Sequence, residues 1–443
     1  MSGRQVMANL SAKLDSVLSI DEIEKTGVLA ATSQLHQRAQ EIRQQRVNWQ
    51  SYLQSQMVSQ EDFQLITQYE SATGGEQRHQ LLDKYGEQCA HMFNSLLNNI
   101  SKDQTIQYIL CIIDDMILED RTRVELFKEY SKKKKQSVWY TFLNLLNRND
   151  PFIQNMTALI IAKIACWTTS EPIEGSDLNL FLTWLRDQLK LSNNEYIQSI
   201  ARCMQMMLQN DRYRDVFVGI DGITAIVQVL SGRINFQIQY QLAFCLWILT
   251  FNEPLATRMN KYNAIPVLAD VLSEAVKEKV TRMALATFRN LIEKPTDTEI
   301  TRDNAITMVQ CKVLKQLEIL QQSGQKFDDP DIKEDIDYLT EKLLASVQDL
   351  SSFDEYATEV KSGRLEWSPV HSSDKFWREN AGRLNEKNYE LLKILVRLLE
   401  TSKDPLVLSV AAHDLGEYVR HYARGKVYVV FLGQGSFYVL INV

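Results

Sequence analysis

The stretch NFQIQYQLAFCLWIL, residues 235–249, decides how the chain folds. Apolar residues recur through it at three- and four-residue spacing, the period of an amphipathic helix rather than of a strand. The same frame returns on both sides. Upstream are NEYIQSIARCMQMML from Asn194, DPFIQNMTALIIAKI from Asp150 and DQTIQYILCIIDDMI from Asp103. Downstream are KEKVTRMALATFRNL from Lys277 and DPLVLSVAAHDLGEY from Asp404. The fourth position is β-branched each time: Ile106, Ile153, Ile197, Ile238, Val280, Val407. The fifteenth is always apolar: Ile117, Ile164, Leu208, Leu249, Leu291, Tyr418. Successive starts lie 47, 44, 41 and 42 residues apart, and the last gap of 127 spans three more periods.

Several of these helices follow a second apolar helix that ends in a polar turn. Examples are WYTFLNLLNRND (139–150), GITAIVQVLSG (222–232), AIPVLADVLSEA (264–275) and NYELLKILVRLLETS (388–402). Helical units of this length are the mark of HEAT and armadillo repeats. One unit cannot bury its apolar face alone, so neighbours stack into a solenoid. A generic bundle is the competing reading, but a bundle has no reason to keep one register over so many segments. The expected fold is therefore all-α, a HEAT/armadillo-type helical-repeat solenoid. With 16 Gly and 8 Pro in 443 residues, the chain is also poor in turn formers, which favours long helices with short connections.

The pattern weakens at both ends and once in the middle. Residues 1–35 read as a flexible extension, and 36–350 as a large N-terminal repeat domain. An acidic loop, QQSGQKFDDPDIKEDIDY (321–338), leads into a helix over 335–350. The periodicity then lapses, and a domain boundary is expected near Leu350–Asp354. A small C-terminal helical domain follows over 351–426, with an atypical tail over 427–443.

Composition narrows the function. A net charge of −7 without a basic stripe argues against a nucleic-acid binder. The six cysteines are scattered through apolar helical patterns and suit a reducing compartment. The N-terminus lacks a signal-peptide pattern, and no segment has about 18 uninterrupted apolar residues, so none is expected to cross a bilayer. No phosphate-cradling loop is present, and the six histidines form no close ligand set. His413 and Asp414 are adjacent, and on a helix their side chains are expected to diverge. S-x-x-K at Ser372–Lys375 lacks the companion motifs of the penicillin-binding enzymes and reads as chance. Asp328–Asp337 does not fit an EF-hand and reads as a solvated loop. Lys132–Lys135 could act as a nuclear signal, although four lysines between helices more often form an exposed turn. No enzyme, cofactor or metal is expected.

One segment stands apart. SGRLEWSPVHSSDKFWREN, residues 362–380, sets Trp367 and Trp377 in polar company around Pro369 and His371. Pro369 disfavours a helical Ser368, so Trp367–Val370 is expected to be an extended strap, with Ser373 or Asp374 capping a helix that carries Trp377. The strap either packs on its own domain or is partly offered to a partner.

With repeats and strap in view, the chain resembles the H-subunit family of the V-type (vacuolar) proton ATPases over roughly residues 40–426. The resemblance is carried by RVNWQSYLQSQM (46–57), LNRNDPFIQNMTALIIAKIA (146–165) and YNAIPVLADVLSEAVKEKVTR (262–282). Most specific is VQDLSSFDEYATEVKSGRLEWSPVHSSDKFWRENAGRLNEKNYELLKIL (347–395), and VAAHDLGEYVRHYARGK (410–426) follows. The resemblance implies a non-catalytic regulatory subunit on the cytosolic face of acidic-organelle or plasma membranes, held there only through the complex. Implied partners are the E–G peripheral stalk, the a subunit of the membrane sector, and the catalytic-sector and rotor subunits. It would activate coupled hydrolysis and pumping in the assembled pump and silence the detached peripheral sector. Candidate partner-binding residues from the specific block are Phe353, Asp354, Glu355, Arg364, Trp367, His371, Trp377 and Arg378.

The ending departs from the family. VYVVFLGQGSFYVLINV (427–443) alternates like a hairpin where members carry another helical repeat, so a less stable C-terminal domain is expected. The alternative function is an armadillo-type adaptor that holds extended peptides. Such adaptors use Asn and Trp ladders on successive inner helices, whereas Trp49, Trp167 and Trp247 do not share a repeat position.

Overall fold

A computed structural model describes residues 33–432 apart from 73, 136, 169–171 and 323–326. The regular structure of the described residues is helical. Of the expected extension, residues 1–32 lie outside the described residues, while Leu35 is already buried in the helix Gln34–Arg43. Residues 433–443 of the tail also lie outside them.

The repeat register of the sequence becomes a stack of helices. Asp103–Glu119, Pro151–Trp167, Ile197–Met207, Phe236–Leu249 and Glu278–Glu293 each pack on the next. A second row, Val138–Leu145, Gly175–Lys190, Gly222–Leu230 and Ala264–Glu274, covers them on one side. All six fifteenth-position residues are fully buried. The fourth-position residues are buried too, except Ile197, which is half-buried because its helix begins only there.

Three of the six repeat starts, Asp150, Asn235 and Asp404, are side-chain caps. The carboxylate of Asp150 accepts from the Ile153 amide at 2.8 Å, and the Asn235 side chain accepts from Ile238 at 3.0 Å. Pro151 and Pro405 occupy the first helical position, where a missing N–H costs nothing. Asp404 caps the last of these helices through the Leu406 amide at 2.9 Å.

Two compact units emerge. The first holds the described residues up to Asp297 together with Phe327–Ile332, and the second the described residues from Thr298 to 322 and from Lys333 on. The second has its own core, built on Phe353, Tyr356, Val360, Leu365, Phe376, Trp377 and the faces of Glu386–Thr401 and Pro405–His421.

Three local expectations are corrected. The acidic run is not a solvated loop. A helix starts at Pro330, Asp329 accepts from the Asp331 amide at 2.9 Å, and both carboxylates hold buried Arg282 at 3.1 and 2.5 Å. Asp335 is buried as well. This helix, Pro330–Ser362, runs through residues 350–354, and its stripe continues as Phe353, Tyr356 and Val360, at i, i+3 and i+7. Finally, residues 425–432 of the terminal region are helical rather than strand-like. Val427 is 69% exposed and Val429 is buried, although strict alternation would put both on one face. Tyr428 packs on Tyr389 and Tyr422, at centroid separations of 5.0 and 6.3 Å.

Candidate docking face and the charged core beneath it

The strap turns rather than extends. Trp367 and Ser368 lie in irregular chain, but Pro369–Ser372 form a turn, with the His371 amide donating to the Ser368 carbonyl at 3.2 Å. Proline fits the turn because its ring pre-sets φ. Ser373 then caps Asp374–Asn380 by accepting from the Phe376 amide at 3.1 Å.

The two tryptophans part company. Trp377 is fully buried, its indole N–H donating to the His371 carbonyl at 2.8 Å, and it packs edge-on against Tyr356 and Phe376. Trp367 remains 49% exposed, standing edge-on to His413 at 5.0 Å and to His371 at 6.3 Å. Of the candidate partner-binding residues, Phe353, His371 and Trp377 are therefore corrected to core residues. Phe353 stacks on Phe376 and is roofed by the Arg383 guanidinium, 3.7 Å from its ring centre. Asp354, Glu355, Arg364, Trp367 and Arg378 are exposed, and Arg378 pairs with Asp374 on its own helix.

His371 organises the core. Its Nδ1–H donates to both oxygens of Asp414, at 2.8 and 2.9 Å, and its Nε2–H donates to Glu359 at 3.1 Å. Two carboxylates facing the two ring nitrogens call for an imidazolium. Burial opposes that charge, but the hydrogen bond and charge of Asp414, then those of Glu359, outweigh it and raise the pKa. Asp414 also accepts from the Tyr356 hydroxyl at 3.0 Å. Burial, with the Asp414 charge and hydrogen bond, keeps that phenol protonated well above its usual range. Glu359 returns to the strap, accepting from the Glu366 amide at 2.8 Å. The loop carrying Trp367 is thus tied to two helices through one buried cation.

Sequence reasoning missed Tyr356, Glu359 and Asp414 as members of this network. A signal existed: Asp414 sits among Val407, Val410, Ala411, Leu415 and Tyr418 on the buried face of its helix, and a carboxylate there demands a partner. His413 and Asp414 also approach to 3.4 Å instead of diverging. Elsewhere, burial pushes the Cys89, Cys111 and Cys203 thiols up to about 12, which makes them packing groups rather than nucleophiles. Among the described residues, no His, Cys, Asp and Glu are grouped to hold a metal, and no helix is long and apolar enough to cross a membrane.

Comparison with known proteins gives a consistent family. Two family models, both described as the H subunit of the V-ATPase, match the chain, an N-terminal one over residues 33–343 and a C-terminal one over 349–437. A Drosophila melanogaster protein named as the H subunit of the V-type proton ATPase is 59% identical over 93% of this chain and 86% of its own length. A Caenorhabditis elegans protein, named as the second probable V-type proton ATPase H subunit, is 48% identical over 92% and 87%. Among solved structures, a designed armadillo repeat protein aligns with a TM-score of 0.45 and 14% identity, covering 57% of this chain and 98% of that one.

Proposed function

The chain belongs to the family of V-ATPase H subunits, and on that premise we propose that it couples and brakes the pump by holding two neighbours with one chain. As a member it is a non-catalytic regulatory subunit that binds other V-ATPase subunits. In the proposed mechanism, the N-terminal domain (residues 36–350) stays on the E–G peripheral stalk, on the cytosolic face of the membrane. The C-terminal domain (351–426) lies near the a subunit of the membrane sector in the assembled pump and supports coupled activity. When the peripheral sector detaches, that domain contacts catalytic-sector and rotor subunits instead, and ATP hydrolysis stops.

Physical chemistry supports such a brake. Tethering makes the second contact intramolecular, at an effective concentration on the order of millimolar, so a small patch suffices. The bias between positions comes from different contacts in the two states. Two compact units supply two binding bodies, the second already taking in residues from Thr298, ahead of the proposed division at 350. The two family models meet around residues 344–348, which supports a division near 350. The observation that carries the reading is Trp367, a half-exposed indole on a loop fixed from beneath by the buried His371–Asp414 contact and by hydrogen bonds to Glu359. Rigid aromatic anchors of this kind dominate binding energy at interfaces. Asp354, Glu355, Arg364 and Arg378 are its proposed charged companions.

The adaptor reading loses its ladder. Trp49 and Trp247 are buried, and Trp167 lies under the Arg121 guanidinium at 4.6 Å. The deciding experiment adds purified protein to a detached ATPase sector lacking it and measures hydrolysis. Inhibition is expected, and Trp367→Ala is expected to weaken it about tenfold or more. Inhibition unchanged by Trp367→Ala would move the brake off this face, and binding without inhibition would leave docking but no brake.

A further inference from the structure

The lysine run stands in a chain of net charge −7. Lys132–Lys134 close the helix Val124–Lys134, and Lys135 caps it with a left-handed φ of 54°. Attraction to the helix C-terminus explains lysines in a last turn. It does not explain what flanks them. Ser131 before the run and Ser137 after it both line one cavity of about 500 Å³, a volume in the range of ligand clefts. Along the chain, the four lysines therefore fall between two points of its wall.

That wall is polar, and His91 on it faces the buried Asp62 carboxylate at 3.6 Å. It draws the side-chain amides of Asn94 and Asn98 from Gly75–Asn99, Tyr130 from the lysine-bearing helix, and Tyr140 and Thr141 from Val138–Leu145. Of the eleven lining residues only Val138 is aliphatic, and none is Lys or Arg. Amides and hydroxyls both donate and accept, as the N–H and C=O groups of an extended peptide require, and part of that capacity is spent within the wall, where Asn94 donates to the Ala90 carbonyl at 2.9 Å and Asn98 to Thr141 at 3.2 Å. Tyr140, 66% exposed, adds an aromatic rim. The carboxylate behind the wall, Asp62, is buried, takes a hydrogen bond from Ser95 at 2.9 Å and faces His91 at 3.6 Å, two lining residues that stand between it and a ligand. All four lysines are exposed. Lys133 meets Glu87 at 2.5 Å, and Lys132, Lys134 and Lys135 enter no ion pair among the described residues.

We propose that this cavity and its lysine rim are a docking site for an acidic, extended segment of a partner protein. The bound backbone hydrogen-bonds to the amide and hydroxyl wall, and its carboxylates project to the lysines, which steer association and fix direction. The lining residues include no Lys or Arg, and His91 among them faces Asp62, which disfavours a phosphate or other compact anion as the occupant. The site belongs to the first unit and Trp367 to the second, and the proposal does not depend on the braking mechanism.

The test measures fluorescence anisotropy of a fluorescein-labelled peptide of alternating Asp and Ser against the full-length protein, with an alternating Lys–Ser peptide as control. Saturable binding of the acidic peptide alone is expected. Replacing Lys132, Lys133, Lys134 and Lys135 together by Gln should weaken it about tenfold or more, with the thermal unfolding temperature unchanged. Asn98→Asp, an isosteric change at an exposed wall residue, should weaken it at least about threefold by repelling the ligand. No binding of the acidic peptide would overturn the proposal. So would binding that depends on the lysines but ignores Asn98→Asp, or phosphatidylserine vesicles held with that same dependence, since either makes the run a general anionic-surface patch.

Discussion

In the first unit, a lone ion pair is buried in a wall of helices: Lys163 meets Asp114 of the neighbouring inner helix at 2.6 Å, with both side chains at most 3% exposed. The second oxygen of Asp114 has no hydrogen-bond partner among the described residues. In the second unit, the buried charges form a closed circuit, where His371 spends both nitrogens on Asp414 and Glu359, and Tyr356 takes up another acceptor site. The first arrangement joins two helices that the repeat would stack anyway. The second fastens an irregular loop that apolar contacts alone do not locate. These two buried clusters thus serve packing in one case and placement of a surface group in the other.

The strongest way to break this contrast is in the first unit. Lys163→Met strands a buried carboxylate and should cost about 3–5 kcal/mol in chemical denaturation, and Lys163→Met with Asp114→Leu should restore most of it. A double variant as unstable as the single one would show that the first pair is needed for structure in its own right.

An intermediate effect is expected from pH in the second unit. The His371 pKa is raised on folding, so its stabilisation is fully present below the ordinary imidazole value of 6.5. It is lost as pH rises through the raised value. Hydrogen bonds to charged groups are worth about 1.5–3 kcal/mol, which sets the scale. Hydrogen exchange, corrected for its intrinsic pH dependence, should report loosening of residues 353–380 on alkaline titration while the stacked inner helices 151–167 and 236–249 hold. Equal loosening of both regions would remove His371 as the cause.

The smallest structural effect belongs to the exposed group itself. Trp367→Ala should change stability by about 0.5–1.5 kcal/mol, through its edge-on contact with His413, while abolishing most of the proposed docking. A larger loss of stability would mean that the indole closes the core rather than serving as a handle.

How much of this was legible beforehand varies with distance along the chain. The repeat register, the cap at Ser373 and the buried fifteenth positions follow from neighbours within a few turns, and the structure reproduces them. The lapse read after residue 350 was a stripe whose phase was hidden by the polar residues between Phe353, Tyr356 and Val360. The alternation read after Lys426 failed because period-two spacing over so few residues is a weak constraint once aromatic packing is available.

The all-α repeat, its register and the family follow from the amino-acid order alone, because a helical period is a local property that stacking merely completes. Which candidate residues face outward was settled only in three dimensions. His371 and Asp414 are 43 positions apart and Arg282 and Asp331 49, so no spacing rule joins them. Their pairing is set by which helices pack together, since a buried charge is stable only where packing supplies its opposite.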